Sequence, residues 1–542
     1  MQLFAPEVTV TDGVGSLSHQ PYSVMLRKLA NEMIVDGDEE PLASQDLLTL
    51  VARIPPLAEL VPGNKLGARQ LSEWCCEFAF FVRQYPSGLS DAIAEATRIV
   101  RSIENDMENW THKLPRAIAI IQRRDIESTL QQHHIKIHQV CRRWQVRTHS
   151  RIEDMDMGIV QMTLRRGLYD EDHVSTMEEL SDGPSFDALV DELATEDSQG
   201  RFPEALQGLA EVMQEGLGVF SRGDAKRRSL EVNLYGLLQR ARGLLPDLEL
   251  RRGEVNRLDA NAFNGTAKYD EYKGRYLSSE EVVIKFFRTY MPSTSGNVTS
   301  PDKHQRRFVR EAGIWLATWQ QDRGKYLVPF YGYCITDTRG PYMVSPYYPQ
   351  TAENYVKQVI GIDHLGLLRD VAKGLEVLHG MDPQVIHGSV KGSNIFIGRD
   401  GTARLGNFGF SKLMEDVMGE PYTATGNAEA EVRWRPPERW QGQGILSVEG
   451  DIWEFGMTML ELLTHERPWK EYRHVGQVLS AISAGRRPVR PSDPEVVARG
   501  LTDNIWALME ACWKEERDER PKIAEVLRAL PAPSGPGDVI MA

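Results

Sequence analysis

Residues Val385–Ile397 read VIHGSVKGSNIFI. Two apolar ends hold a polar centre in which His387, Ser389, Lys391 and Asn394 recur at intervals of two, two and three. The pattern sets a cation and an amide beside a hydroxyl, and no carboxylate falls within the stretch. A serine hydroxyl cannot accept a proton near neutral pH as a carboxylate can. The stretch therefore gathers an imidazole, a hydroxyl, an ammonium and an amide without any carboxylate to act as a base.

The loop sits in a chain of 542 residues, too long for one ordinary core, so two to four domains are expected. Hydrophobic content of 41% and charged content of 26% fit a water-soluble globular protein. A formal net charge of -14 argues against nucleic acid as a partner, because phosphate-backbone binding rests on clustered Lys and Arg. Five cysteines lie at 75, 76, 141, 334 and 512 without metal-ligand spacing, which fits a reduced, cytoplasmic setting. The N-terminus has no basic n-region followed by an apolar run. The most apolar local run, FAFFV from Phe78, is far too short to span a bilayer, so any membrane contact would be peripheral.

Residues 1–20 are polar and aperiodic and read as disordered. Residues 21–160 read as an all-α helical bundle. In DIESTLQQHHIKIHQVCRRWQVRTH, Ile126, Leu130, His133, Ile137, Val140 and Trp144 fall on one helical stripe. Residues 161–200 carry many acids, and no Lys or Arg occurs from Gly167 to Gly200; they read as an acidic linker. Residues 201–247 give two connecting helices. From 248 to 531 short β-like runs precede longer helical ones, which predicts an α+β unit of two lobes, and 532–542 is a tail.

Over roughly residues 250–531 the sequence resembles the protein kinase superfamily, specifically its tyrosine-kinase-like group with H-G-D-L-K catalytic loops. EYKGRYLSSEEVVIKFF resembles the second and third strands of the small lobe, with Lys285 at the V-A-I-K position. FVREAGIW resembles helix C, so Glu311 would hold Lys285. PYMVSPYY resembles the strand entering the hinge, with Ser345 near the gatekeeper position. LGNFGFS stands in the place of D-F-G, as Asn407, Phe408 and Gly409. RWRPPERW ends in Glu438 of an A-P-E-like motif, which Arg520 would pair. Asp451, in GDIWEFGMTMLELLT, would brace the catalytic loop, and His387, Phe408 and Trp315 would link the lobes. The resemblance implies the bilobal protein-kinase fold behind a helical bundle.

Three departures fall on the chemistry. Ser389 replaces the catalytic Asp, a loss that typically costs on the order of 100-fold to 10,000-fold. Asn407 replaces the D-F-G Asp, so with Asn394 it offers magnesium only neutral oxygens, where a hard cation prefers charged ones. The three phosphate-loop glycine positions fall on Asn264, Thr266 and Tyr269, with Gly265 one residue out of step. Tyr269 can fill the pocket or point away, and the sequence leaves both open. Gly388 also replaces the arginine of H-R-D. Together these read as a pseudokinase. ATP binding would rest on Lys285 and be weak, and magnesium binding would be impaired.

His134 and His138, four apart, are a candidate metal pair with no third ligand nearby, and ordinary seam histidines are the competing reading. Arg123, Arg124, Arg142, Arg143 and Arg147 are placed on helical surface, where anionic lipid or plain solvent would meet them. Ser229 after AKRR, and Thr423 and Thr425 in the activation segment, are candidate phosphosites. The order of parts is similar to that of mixed-lineage-kinase-domain-like proteins, in which a bundle attacks membranes and a pseudokinase restrains it. Three functions follow: a pseudokinase acting with protein partners as a switch or scaffold for the bundle, a feeble Ser/Thr kinase, and a membrane-active death effector.

Overall fold

The computed structural model describes residues 42–532 apart from 85–89, 147–151, 155, 196–201, 242, 244, 252, 266–268, 289–300, 338, 408–411, 414–430 and 440–445. Phe408, Gly409, Thr423, Thr425, Arg147, the segment 1–41 and nearly all of the 532–542 tail lie outside the described residues. The chain divides into two compact units between Leu237 and Leu238.

The first unit is helical throughout its described length. Its helices are α1 (Leu42–Ala58), α2 (Lys65–Gln84), α3 (Ser90–Glu108), α4 (Arg116–Ile121), α5 (Arg123–Arg143), α6 (Met157–Ser181), α7 (Gly183–Thr195), α8 (Phe202–Gly216) and α9 (Ala225–Ala241). Apolar stripes drive the packing: Leu47, Ile54, Leu71, Phe78, Ile103, Met107, Leu130 and Ile137 are all buried in one core. The α5 stripe behaves as its spacing predicts, except that Trp144 lies only at its partly buried end. His134 is buried against the edge of Trp74, with its Nδ1 donating to the Leu130 carbonyl at 2.9 Å. Burial pushes its pKa down to about 4, so it is a neutral core residue. No group of three metal-ligating side chains occurs among the described residues.

The segment expected to be an acidic linker is instead two helices, α6 and α7. Its acids are interleaved with Tyr169, Met177, Leu180, Phe186, Leu189, Val190 and Leu193, all buried. Spacings of three and four put most of these on one face, and the acids other than Asp172 lie away from it. One acid is structural: Asp172 accepts from the backbone N–H groups of Leu66 (3.0 Å) and Gly67 (3.3 Å) in the first turn of α2. Those are donors without intrahelical acceptors, and the carboxylate also complements the helix dipole. The all-α unit therefore continues through the expected linker and connecting helices instead of ending near residue 160.

The arginines assigned to the surface are also more tied than expected. Arg123 is buried and pairs with Glu215 at 3.4 Å, which Arg124 meets at 2.9 Å. Arg143 pairs with Glu95 at 2.6 Å. Among the described residues no helix is long and apolar enough to cross a membrane. Ser229 is exposed on α9.

The second unit has two lobes. An antiparallel sheet runs in the order β1 (Val255–Arg257), β3 (Tyr269–Tyr276), β4 (Glu280–Phe287), β6 (Tyr342–Pro346), β5 (Gly332–Cys334), with β2 (Asn264–Gly265) on β3. Helix α10 (Pro301–Asp322) accompanies this sheet. The larger lobe holds α11 (Ala352–Gln358), α12 (His364–His379), short strands β7 (Val385–Ile386), β8 (Ile395–Ile397), β9 (Ala403–Leu405) and β10 (Lys412–Leu413), and α13 (Val448–Thr464). Fourteen residues of α13 are buried, which makes it the central post of this lobe. The α+β, two-lobed unit behind a helical one is the architecture the sequence implied.

Replacing Asp172 with Ala should lower the stability of the helical unit by about 1–2 kcal/mol, since two N–H donors of α2 lose their acceptor. Guanidinium unfolding of the full chain, followed by far-UV circular dichroism, measures it.

Candidate functional site

The cleft is organised from two sides. On the sheet side, the β3–β4 turn sets the register. Leu277 and Ser278 both take positive φ, 45° and 53°, and the strands pair outward from there until Glu271 lies opposite Lys285. The Lys285 ammonium meets the Glu271 carboxylate at 3.3 Å, and both side chains are nearly buried. The other Glu271 oxygen accepts from Asn264 Nδ2 at 2.8 Å. The ammonium also lies 5.1 Å from the ring centroid of Tyr269 and 5.7 Å from that of Trp315. Burial opposes the charge on Lys285, but attraction from Tyr269, Glu271 and Glu311 outweighs it and holds the pKa above the ordinary lysine range. Glu311 on α10 adds to that attraction, and Glu271 makes the ion pair with the ammonium.

On the helical side, one face of α13 carries the loop. Asp451 accepts from His387 N at 2.8 Å and Gly388 N at 2.7 Å. Glu454 accepts from Val390 N at 2.7 Å, and Glu461 from Gly392 N at 2.8 Å. Thr458 donates to the Val390 carbonyl at 3.0 Å. Positions 451, 454, 458 and 461 share a helix face, so four side chains fix four loop residues, His387, Gly388, Val390 and Gly392. Arg439 ties the same loop to Glu454, reaching the Gly388 carbonyl and the carboxylate at 2.7 Å each. His387 is buried, its Nε2 donating to the Gly406 carbonyl at 3.0 Å and its Nδ1 accepting from Ser389 N at 3.3 Å.

Between the two sides runs a chain of neutral polar groups. Asn394 Nδ2 donates to the Ser389 hydroxyl at 3.0 Å and to its carbonyl at 2.8 Å. Asn407 Nδ2 donates to Asn394 Oδ1 at 2.9 Å. The Tyr269 hydroxyl donates to Asn407 Oδ1. Tyr269 itself is buried, and burial pushes its pKa up to about 12. Asn407 holds φ at 68°, a left-handed conformation that asparagine tolerates better than most residues. The structure therefore brings Ser389, Asn394 and Asn407 together, and it closes the question over Tyr269: the ring points inward.

Lys391 turns to Glu431, at 3.0 Å, and Glu431 also holds Arg435. Burial raises the Glu431 pKa, but Lys391 and Arg435 overcome this and keep it below the usual range. Glu438 and Arg520 form the expected pair, bidentate at 2.6 and 2.9 Å. Trp315 is buried with its Nε1 donating to the Val328 carbonyl at 2.7 Å. Ser345 is buried on β6 opposite Val283. Gly265 is exposed on β2, paired with Asp270. Sequence reading singled out neither Glu271 nor Glu431. Counting outward from the β3–β4 turn would have placed Glu271 on Lys285; the Glu431 contact spans 40 residues and has no local signal.

Residues 265–530 match the family model for protein tyrosine and serine/threonine kinases. A probable serine/threonine-protein kinase of Dictyostelium discoideum is 30% identical over 162 residues, 30% of this chain and 16% of that protein. Ephrin type-A receptor 3 of Danio rerio is 31% identical over 170 residues, 31% of this chain and 16% of the receptor. A probable LRR receptor-like serine/threonine-protein kinase of Arabidopsis thaliana is 26% identical over 275 residues, 48% of this chain and 28% of the relative. The chain thus spans less than a third of each of these relatives. Its C-terminal half carries a protein kinase domain, similar at low identity to both serine/threonine and tyrosine kinases.

The loop brace carries a pH signature. Burial pushes the Glu461 carboxyl up to about 7, against an ordinary value of 4.5. Between those values the folded protein holds a proton that the unfolded chain has released, so stability falls as pH rises through the window. Glu461→Gln keeps an acceptor for Gly392 N and Trp434 Nε1 and should flatten that fall by on the order of 1–3 kcal/mol, read from denaturation midpoints at pH 5 and pH 8.

Proposed function

We propose that the kinase domain is a pseudokinase, acting as a switch or scaffold that governs what the N-terminal helices engage. The observation that carries this reading is the chain Ser389–Asn394–Asn407. Every group it offers to a substrate or a metal is neutral, and each amide oxygen in it already accepts a hydrogen bond. Phosphoryl transfer depends on positioning and on charge stabilisation by bound metal, so a neutral, self-bonded cluster removes its main source. The surrounding scaffold is retained: the Asp451 brace, the Glu438–Arg520 pair and Lys285 are all in place. A domain that keeps its frame and loses its charges is suited to recognition by shape. Its partners on this reading are proteins met through the helices and the kinase domain, in the cytoplasm, with phosphorylation at Ser229, Thr423 or Thr425 as the input.

A feeble kinase is the competing reading, with Asn394 and Asn407 as metal ligands and no dedicated base. Restraint of a membrane-active helical unit is a more specific form of the switch. Purified full-length protein should transfer no labelled γ-phosphate, with magnesium or manganese, above the level of Lys285→Ala. Transfer by the wild type that the substitution abolishes would overturn the pseudokinase reading. Dye release from anionic liposomes by the full chain, triggered by phosphomimetic Ser229→Asp, would favour the membrane form; none would leave the protein-scaffold form.

A further inference from the structure

Lys285 and Asn407 stand where a nucleotide's phosphates and their metal would be held, yet both are engaged from within the chain. Glu271 places a carboxylate 3.3 Å from the ammonium. Asn264 Nδ2 steadies that carboxylate at 2.8 Å. Tyr269, two residues earlier on the same strand, lays its ring beside the same ammonium at 5.1 Å and sends its hydroxyl to Asn407 Oδ1. One strand thus supplies an anion for the lysine and a donor for the amide. Asn407 follows β9, beside the catalytic loop, so Tyr269 also joins the sheet to the helical lobe.

We propose that Tyr269 and Glu271 are a built-in occupant of the nucleotide cleft: they hold the two lobes together without nucleotide and exclude nucleotide phosphates from Lys285. The proposal deepens the pseudokinase reading and rests on it. Glu271 is the specificity-determining residue. A nucleoside diphosphate would bring its negative charge against a nearly buried carboxylate already paired to the Lys285 ammonium. Tyr269 excludes by volume. With both removed, the site should take a nucleoside diphosphate through Lys285 alone and need no divalent metal.

The test uses the full chain as wild type, Glu271→Gln, the double variant Tyr269→Ala/Glu271→Gln, and the double with Lys285→Ala. Fluorescent N-methylanthraniloyl-ADP is titrated in EDTA. The wild type should bind more weakly than about 1 mM. Glu271→Gln should bind at least about threefold more tightly, and the double about tenfold or more, since removing a nearby like charge is worth this much even when partly screened. Lys285→Ala should erase the gain. Wild type binding as tightly as the double overturns the proposal. So does a double variant that melts as cooperatively as the wild type and binds no better. If the double does not melt cooperatively, Glu271→Gln decides, because glutamine keeps the acceptor for Asn264. Tyr269→Phe retains the ring and deletes only the bridge to Asn407. It should raise amide exchange in residues 387–394 and 403–407, and unchanged exchange sinks the lobe-joining role. With no magnesium present these readings report occupancy alone, whereas phosphate transfer by the wild type would count against the pseudokinase reading.

Discussion

The two oxygens of Asp451 carry the site. They accept the adjacent N–H groups of His387 and Gly388, and this turns the loop so that Ser389 and Asn394 face the cleft. Buried backbone donors must be satisfied, and a loop of this kind has no strand partner to satisfy them. Helix α13 answers with a row of acceptors, Asp451, Glu454 and Glu461, on one face. Three buried carboxylates close together are costly unless each is matched. Arg439 is matched to Glu454, and His379 lies 3.0 Å from Asp451. The burial of α13 and the geometry of the catalytic loop are therefore one arrangement.

That arrangement explains why the fold was legible while half the site was not. The kinase-like motifs announce themselves because backbone geometry demands particular residues at particular spacings. An acid must brace the loop, and an arginine must meet Glu438 across a fixed turn. Those demands do not depend on the catalytic groups, so Asp451, Glu438 and Arg520 could be placed from sequence and are found paired. Ser389, Asn394 and Asn407 could be listed as departures, but that they bond to one another needed coordinates. The Tyr269 rotamer needed them too, since one residue on a strand can face either into the cleft or out of it. The expected linker failed for a different reason. Acidic composition dominated the reading of residues 161–195 and hid a stripe of buried apolar residues at helical spacing. Composition argues for disorder only when too little apolar surface is available to bury, and here enough was.

The charges in the cleft are placed differently from what metal-bound nucleotide asks for. A site that handles metal-bound nucleotide needs carboxylates at the metal and uncommitted ammonium groups at the phosphates. This cleft has the reverse. The metal side is neutral at Asn394 and Asn407, and each of its two lysines faces a carboxylate, Lys285 with Glu271 and Lys391 with Glu431. Replacing two aspartates alone would leave an excess of positive charge, still attractive to phosphate. Glu271 and Glu431 remove that excess by pairing. Unpaired buried ammonium groups would cost several kcal/mol or lose their protons, so each lysine gains stability from its internal partner. On the pseudokinase reading, the same pairs also oppose catalysis. Ser389→Asp and Asn407→Asp would add negative charge to a cleft whose lysines are already paired, and phosphates would still have to displace Glu271 before any metal could help.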